Sequence, residues 1–120
     1  MNSKLMGRWG EAKAGDFLRT KGYKLIGLNY STRFGEIDII AENKQYIVFV
    51  EVKLRKNAHF AEAREFVDHH KIDRIRTAAE IWLSQNETEK HSRFDVIEIY
   101  VSGEVNQGNE KIIHIEDAFQ

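Results

Sequence analysis

The sequence predicts a single α/β domain in which helices pack on the faces of a mixed sheet. Three observations lead to this fold class: helical and strand-like patterns alternate along the chain, no repeat or linker interrupts them, and proline is absent. The 120 residues are 42% hydrophobic and 31% charged, a balance that allows one core to form without disulfides. We therefore expect one domain over residues 1–120.

Glycines and short polar runs divide the chain into seven patterned segments. The first helix is predicted to end before Gly22, because glycine commonly follows a helix C-terminus. A turn at Asn43-Lys44-Gln45 joins two strands that are rich in Ile and Val. The predicted order is α-β-β-β-α-β-β, over residues 4–21, 23–30, 36–42, 46–54, 62–84, 94–101 and 111–115.

Composition excludes several classes of protein. The chain contains no cysteine, which excludes a disulfide framework and a thiolate zinc site. No secretion signal or membrane-length apolar run is visible, so we expect a cytoplasmic protein without membrane contact. The net charge of −1 argues against a generally basic nucleic-acid binder. Residues 1–60 nevertheless hold 11 Lys and Arg against 6 Asp and Glu, which would suit either a positive face or scattered surface charge.

The register of the central hairpin decides whether its acidic residues can meet. If Asn43 pairs with Tyr46, the residue numbers of each cross-strand pair sum to 89. Asp38 then lies opposite Glu51 on the same face of the sheet, because side chains alternate along a strand. The same register places Glu36 opposite Lys53, with Cβ atoms about 4.5–5.5 Å apart in each pair. A slip of one residue would separate the two carboxylates.

Two facing carboxylates within apolar strands repel each other, and burial increases the cost. A divalent cation such as Mg²⁺ or Mn²⁺ removes this repulsion, because it prefers carboxylate oxygen ligands. The alternative is a salt-bridge ladder that pairs Glu36 with Lys53 and leaves Asp38 or Glu51 to an arginine. The hairpin alone does not decide between a metal site and a salt-bridge ladder.

Each predicted helix directs one charged residue toward this sheet. On the first helix, Glu11 belongs to a stripe of small and apolar residues, each one helical turn after the last: Gly7, Glu11, Ala14 and Leu18. On the second helix, Lys71 belongs to an equivalent stripe: Val67, Lys71, Ile75, Ala78 and Trp82. Separately, Glu11 could serve the helix dipole, and Lys71 could extend to water. Together they offer a third carboxylate and a second ammonium to one face.

Two runs of the hairpin contain the acidic residues: Gly35-Glu36-Ile37-Asp38-Ile39-Ile40-Ala41 and Phe49-Val50-Glu51-Val52-Lys53-Leu54-Arg55. In these runs the chain resembles the PD-(D/E)xK superfamily of restriction-endonuclease-like nucleases. The closest resemblance is to the YraN-type family, a bacterial group that is similar to archaeal Holliday junction resolvases. Further matches run along most of the chain: Gly10-Glu11, Ala14, Gly22-Tyr23, Asn29, Lys71, Arg74-Ile75, Arg93-Phe94-Asp95-Val96, His114-Ile115 and Ala118-Phe119.

The resemblance implies a restriction-endonuclease-like three-layer α-β-α core and a metal-dependent active site. Asp38 and Glu51 would ligate Mg²⁺ or Mn²⁺, with Glu11 as a third ligand, directly or through water. Lys53 would complete the catalytic set by contacting the attacking water or the scissile phosphate. The chain departs from the superfamily pattern at Ile37, where a proline commonly precedes the aspartate.

We therefore expect an Mg²⁺- or Mn²⁺-dependent endonuclease that cuts branched or single-stranded DNA in repair or recombination. Basic residues that could bind phosphate are Arg33, Arg55, Lys56, Arg64 and Lys71, with plain surface charge as the alternative for the loop residues. Phe34 and Phe60 could stack on bases, although we expect Phe34 in the core. The rival functions are a non-catalytic module that binds nucleic acid or a protein partner and a structural subunit held by salt bridges. A homodimer is compatible with resolvase-like cutting of two strands.

Overall fold

The protein forms the expected order of two helices and five strands. The structure, a computed structural model, describes residues 3–55, 68–101, 108 and 110–119. The elements are α1 (Ser3–Thr20), β1 (Lys24–Ser31), β2 (Glu36–Glu42), β3 (Tyr46–Arg55), α2 (His69–Gln85), β4 (His91–Tyr100) and β5 (Lys111–Ile115). The bounds of β2 and β5 coincide with those predicted, whereas β4 begins three residues earlier. The start predicted for the second helix, at residue 62, lies outside the described residues.

All five strands belong to one sheet, in the order β1-β2-β3-β4-β5. β3 and β4 are parallel, and the three other neighbouring pairs are antiparallel, which confirms the mixed sheet. Parallel neighbours need a crossover connection, and α2 lies on that connection. Neither described helix is long and apolar enough to cross a membrane.

The helices cover opposite faces of the sheet. One core cluster joins α1 to the sheet through Ala14 and Leu18, which are both fully buried. A second cluster joins α2 to the other face through Ile75 and Ala78. β3 supplies alternate residues to the two clusters, Val48 and Val50 to the first, and Ile47 and Phe49 to the second. This central strand is apolar throughout that stretch because both of its faces are covered.

A buried ionic network attaches the C-terminal segment to β4. The Asp95 carboxylate is fully buried and accepts two hydrogen bonds from Arg93, at 2.9 and 2.8 Å. It also lies 2.7 Å from Nε2 of His114 and accepts the backbone N–H of Asp117 at 3.0 Å. Burial alone would raise the pKa of Asp95, but the hydrogen bonds from His114, Arg93 and Asp117 outweigh it and lower the pKa. All of these bonds are made within the protein, so the network has a structural role and ties β4 to the C-terminal end of β5.

The β1–β2 turn, residues 32–35, is held tightly against α2. Oγ1 of Thr32 accepts the backbone N–H groups of Phe34 and Gly35, each at 3.0 Å. Nε of Arg74 donates to the Phe34 carbonyl at 3.1 Å, which ties the turn to the helix. A Cβ atom on Gly35 would lie 2.6 Å from the Arg74 carbonyl oxygen, so this close approach requires glycine.

Replacing Gly35 should therefore destabilise the protein. We expect Gly35→Ala to lower the free energy of unfolding by about 1–3 kcal/mol, because the backbone of α2 must move away. Gly7→Ala is the control, since a Cβ there meets nothing within 4 Å and the site is helical. It should be neutral or stabilising by about 0.5–1 kcal/mol. Denaturant unfolding of both variants measures the difference, and equal midpoints would refute the packing argument.

Candidate functional site

The alternation of side chains along β2 breaks at Asp38. Ile39 packs in the cluster with α1, whereas Ile37 packs in the cluster with α2 on the other face. Residues two apart on a regular strand share a face, so β2 rotates between these two positions. Asn29 lies between the β1–β2 pairs Leu28–Ile39 and Tyr30–Ile37, at the level of Asp38, and has a φ of 51°, in the left-handed region that asparagine tolerates. Both strands therefore turn at the same level.

The hairpin register was predicted correctly, but the ladder stops one pair before the carboxylates. The observed pairs between β2 and β3 run from Glu42–Ile47 to Ile39–Val50, each summing to 89. A continued ladder would give the Val52 N–H to the Ile37 carbonyl. That N–H instead donates to Oδ2 of Asp38 at 2.9 Å. The strands thus separate beyond Ile39, and the Asp38 carboxylate takes the place of a backbone acceptor.

The salt bridge between Glu36 and Lys53, which belonged to the alternative explanation of the acidic residues, is not formed. Within the described residues these two side chains make no ion pair, and Glu36 instead accepts a long hydrogen bond of 3.5 Å from Ser31. The reason is that β2 and β3 separate beyond Ile39, so Glu36 and Lys53 are not paired across the two strands. Lys53 is half-buried near the end of β3.

The separated strands open onto a cleft of about 330 Å³ between α1 and α2. Its walls bring together four acidic side chains from α1, β2 and β3, namely Glu11, Glu36, Asp38 and Glu51. Lys71 lines the cleft from α2, whereas Lys53 does not. Phe119 closes one side, where its ring stacks on Phe94 at 5.2 Å. The structure thus gathers the three proposed metal ligands but sets the proposed catalytic lysine outside the lining.

The carboxyl group of Asp38 has a pKa raised from 3.8 to about 6. Burial is the main cause, and the Val52 N–H opposes it by stabilising the charged form. The charges of Glu11, Glu51 and Glu36 raise the pKa further. The carboxylates around Asp38 would therefore favour a cation at this position.

An ammonium group already reaches into this acidic cleft. Nζ of Lys71 forms an ion pair with Oε1 of Glu51. The Lys71 side chain is 56% exposed and that of Glu51 is 12% exposed, so the lysine approaches from the solvent side. In the described part of the chain, no three His, Asp or Glu side chains are placed so that they could hold a metal ion as they stand. A metal would need Glu51 to exchange its lysine partner for the ion.

The remaining predicted site residues lie in different surroundings. Arg33 is exposed on the β1–β2 turn, with its guanidinium 5.0 Å from the ring of Phe34. Arg55 is only 18% exposed, and its Nε lies 3.7 Å from the buried carboxylate of Glu98. Lys56, Phe60 and Arg64 lie outside the described residues. The expectation that Phe34 belongs to the core is wrong, because its side chain is 46% exposed.

Several contributors to the cleft were not anticipated from the sequence. The Val52 amide had no assigned role, although it binds the Asp38 carboxylate. Asn29, Phe119 and Gly10 were named only through the resemblance, without a role. Phe119 and Gly10 line the cleft, and a Cβ on Gly10 would make an ordinary contact with Leu54 at 3.7 Å, so the packing of α1 on β3 does not require glycine there.

The raised pKa of Asp38 makes a prediction about stability. The folded protein binds the proton of Asp38 more tightly than the unfolded chain, so this contribution is present below pH 3.8 and is lost as pH rises through about 6. An asparagine at this position would have no charge to bury and could still accept the Val52 N–H. The stability of Asp38→Asn relative to wild type should therefore increase between about pH 4 and pH 8, on the order of 2 kcal/mol without divalent metal.

Denaturant unfolding across this pH range checks the sign. Asp73→Asn is the matched control, because Asp73 is an exposed carboxylate on α2 and its loss should change stability by less than about 0.5 kcal/mol. The prediction is wrong if the stability of Asp38→Asn, compared with wild type, falls as the pH rises. The Asp38 carboxylate would then be better solvated than its surroundings indicate.

The Lys71–Glu51 ion pair makes a second prediction, about cation binding. Lys71→Met keeps an apolar stem but removes the charge that competes for Glu51. We expect Mn²⁺ to bind this variant roughly two- to fivefold more tightly, from the usual strength of exposed ion pairs. Calorimetric titration measures the affinity, with Lys44→Met at the far hairpin turn as the control. Weaker Mn²⁺ binding to Lys71→Met would mean that the lysine does not compete with the cation.

Comparison with known proteins shows the family to which the chain belongs. The family model described as "Uncharacterised protein family UPF0102" matches residues 10–99. A UPF0102 protein of Caldanaerobacter subterraneus is 42% identical over 99% of this chain and 98% of its own length. Another, from Syntrophomonas wolfei, is also 42% identical, over 99% and 100%. One from Vibrio parahaemolyticus is 45% identical over 78% of each chain. The chain belongs to the UPF0102 family, which confirms the YraN-type assignment made from its motifs.

Proposed function

We propose that the protein is a metal-dependent nuclease that hydrolyses phosphodiester bonds of DNA, in branched or single-stranded form. The observation that carries the proposal is the convergence of Glu11, Asp38 and Glu51 on one open cleft, where the pKa of Asp38 is about 6. A purely structural cluster would be expected to match each buried carboxylate with a cation, as Arg93 matches Asp95. Asp38 has carboxylates around it instead, an arrangement typical of functional sites.

The fold is consistent with the restriction-endonuclease-like core that we propose. Its element order is the expected one, and its helices lie on opposite faces of the mixed sheet. The cleft is at the level where β2 and β3 separate, so strand ends and both helices contribute to it. This geometry supports the superfamily assignment without depending on the short motif alone.

The donor set suits a hard divalent cation. All four acidic side chains of the cleft offer carboxylate oxygens, which Mg²⁺ and Mn²⁺ prefer, and no thiolate is available anywhere in the sequence. We assign Asp38 and Glu51 as the ligands, with Glu11 as a third, direct or through water. A bound ion of this kind supplies a more acidic water and a polarised phosphodiester.

The chain's own residues orient the reacting groups. The Val52 N–H holds Oδ2 of Asp38, so that Oδ1 would be the oxygen available to a ligand. Glu51 becomes available when Lys71 releases it, and the freed ammonium then lies at the mouth of the cleft, where it can contact a phosphate oxygen. Lys53, two residues beyond Glu51 on β3, is assigned to stabilise the negative charge that develops on the phosphate.

Cleavage assays test this function directly. Wild type should cut at least one of single-stranded, duplex or branched DNA when Mg²⁺ or Mn²⁺ is added. Asp38→Asn and Lys53→Met should each reduce the rate by about 100- to 1000-fold, because each removes one preorganised group. Asp73→Asn, which alters an exposed carboxylate on α2, should cut at the wild-type rate. The proposal is refuted if the wild type cuts none of these substrates, nor the corresponding RNAs, with either metal.

Two observations favour a second candidate, a non-catalytic nucleic-acid-binding module. Lys53 lies outside the cleft lining, and Lys71 already neutralises Glu51. Such a module would bind DNA with an affinity that falls as salt rises, yet would not cut it. This second function is favoured if wild type does not cut DNA and Asp38→Asn still binds it.

A further inference from the structure

The β1–β2 turn presents an aromatic ring to solvent beside the acidic cleft. Phe34 is 46% exposed, whereas most of the large apolar side chains in the described residues are buried or half-buried. The guanidinium of Arg33 lies 5.0 Å from the centre of the ring. This pair of side chains combines an apolar surface with a positive charge, which is the pairing that stacks on nucleobases and contacts phosphates.

The turn holds the backbone of Phe34 in a fixed place. Oγ1 of Thr32 accepts the N–H groups of Phe34 and Gly35, and the Thr32 N–H donates to the Gly35 carbonyl at 2.8 Å. The Arg74 side chain then fastens the Phe34 carbonyl to α2, and Gly35 packs directly on the backbone of that helix. A ring presented by a preorganised turn loses little backbone freedom on binding, which favours affinity.

The turn leads directly into the cleft. Glu36 lines the cleft, and Asp38 lies four residues beyond Phe34, so their Cα atoms are at most about 14 Å apart. Arg33 and Arg74 are exposed at the turn, and Lys71 lines the cleft one helical turn before Arg74. A strand that crosses Asp38 can therefore meet cations and an aromatic surface on the same side.

We propose that Phe34 stacks on an unpaired base of the substrate strand, while Arg33 contacts the adjacent phosphate. This inference rests on the proposed nuclease function, because it places the strand across the Asp38 cleft. The bases of a duplex already stack on one another, so the ring can gain this contact only with a single strand or at a branch. The same surface would thus select substrates that contain unpaired nucleotides. The exposed cations around Phe34 favour nucleic acid over an apolar protein partner.

Binding measured without cleavage tests the inference. Fluorescence anisotropy in metal-free buffer with chelator compares a labelled single-stranded oligonucleotide with a blunt duplex of the same sequence. Phe34→Ala should weaken single-strand binding by about 5- to 150-fold, the effect of one lost stacking contact, and should change duplex binding by no more than about twofold. Phe34→Trp should retain the affinity, because it keeps an aromatic face. Leu28→Ala, which truncates an apolar side chain that is 58% exposed on β1, should change neither affinity.

Each contrary result overturns the inference without deciding the nuclease function. Stacking is refuted if Phe34→Ala binds the single strand as tightly as wild type, or if it loses single-strand and duplex binding equally. It is also refuted if wild type does not bind the single strand at low salt. The nuclease function is judged separately, by metal-dependent cleavage and its loss in Asp38→Asn. Thermal unfolding of Phe34→Ala at the wild-type midpoint confirms that a loss of binding is not a loss of fold.

Discussion

The hydrogen bond from the Val52 amide to the Asp38 carboxylate is the interaction on which the candidate site depends. A carboxylate within a hairpin of Ile and Val loses most of its hydration, and this loss raises its pKa to about 6. The Val52 N–H offsets part of that cost. The Val52 N–H is available to Asp38 only because it has no backbone acceptor on β2. The hydrogen bond to Asp38 and the separation of the two strands therefore depend on each other.

The surrounding elements are arranged around this opening. Asn29 adopts a left-handed conformation between the pairs Leu28–Ile39 and Tyr30–Ile37, so β1 stays paired with β2 on both sides of the Asp38 level. α1 packs on Val52 and Leu54 near Gly10, and the next residue, Glu11, lines the cleft. On the other side of the sheet, the Gly35 turn is fastened to α2, the helix that carries Lys71. Both helices thus pack close to the site where the charged groups gather.

The sequence predicted the hairpin register because its determinants are local. The Asn43 side chain accepts the N–H groups of Gln45 and Tyr46, at 2.9 and 2.8 Å, and this turn sets every pair that follows. The rotation at Asp38 depends on contacts between different strands, so strict alternation could not reveal it. Phe34 was misplaced for a similar reason: aromatic residues are usually buried, but here the backbone of α2 occupies the space beneath the turn. Helical spacing identified Glu11 and Lys71 because each helix has one inward stripe.

The charges around Asp38 and Lys71 make the stability of the folded protein depend on whether a cation occupies the cleft. Above about pH 6 the ionised Asp38 adds to the charges of Glu11, Glu36 and Glu51, and among the described residues that line the cleft only the exposed Lys71 opposes them. A cation that binds these carboxylates stabilises the folded state, because it binds the assembled cluster more tightly than the separated groups of the unfolded chain. The destabilising charge cluster would therefore also be the source of affinity for the proposed ion. Such a trade between stability and binding is expected of functional sites. The matched Arg93–Asp95 pair, in the same sheet, is by contrast a buried carboxylate that partners within the protein stabilise.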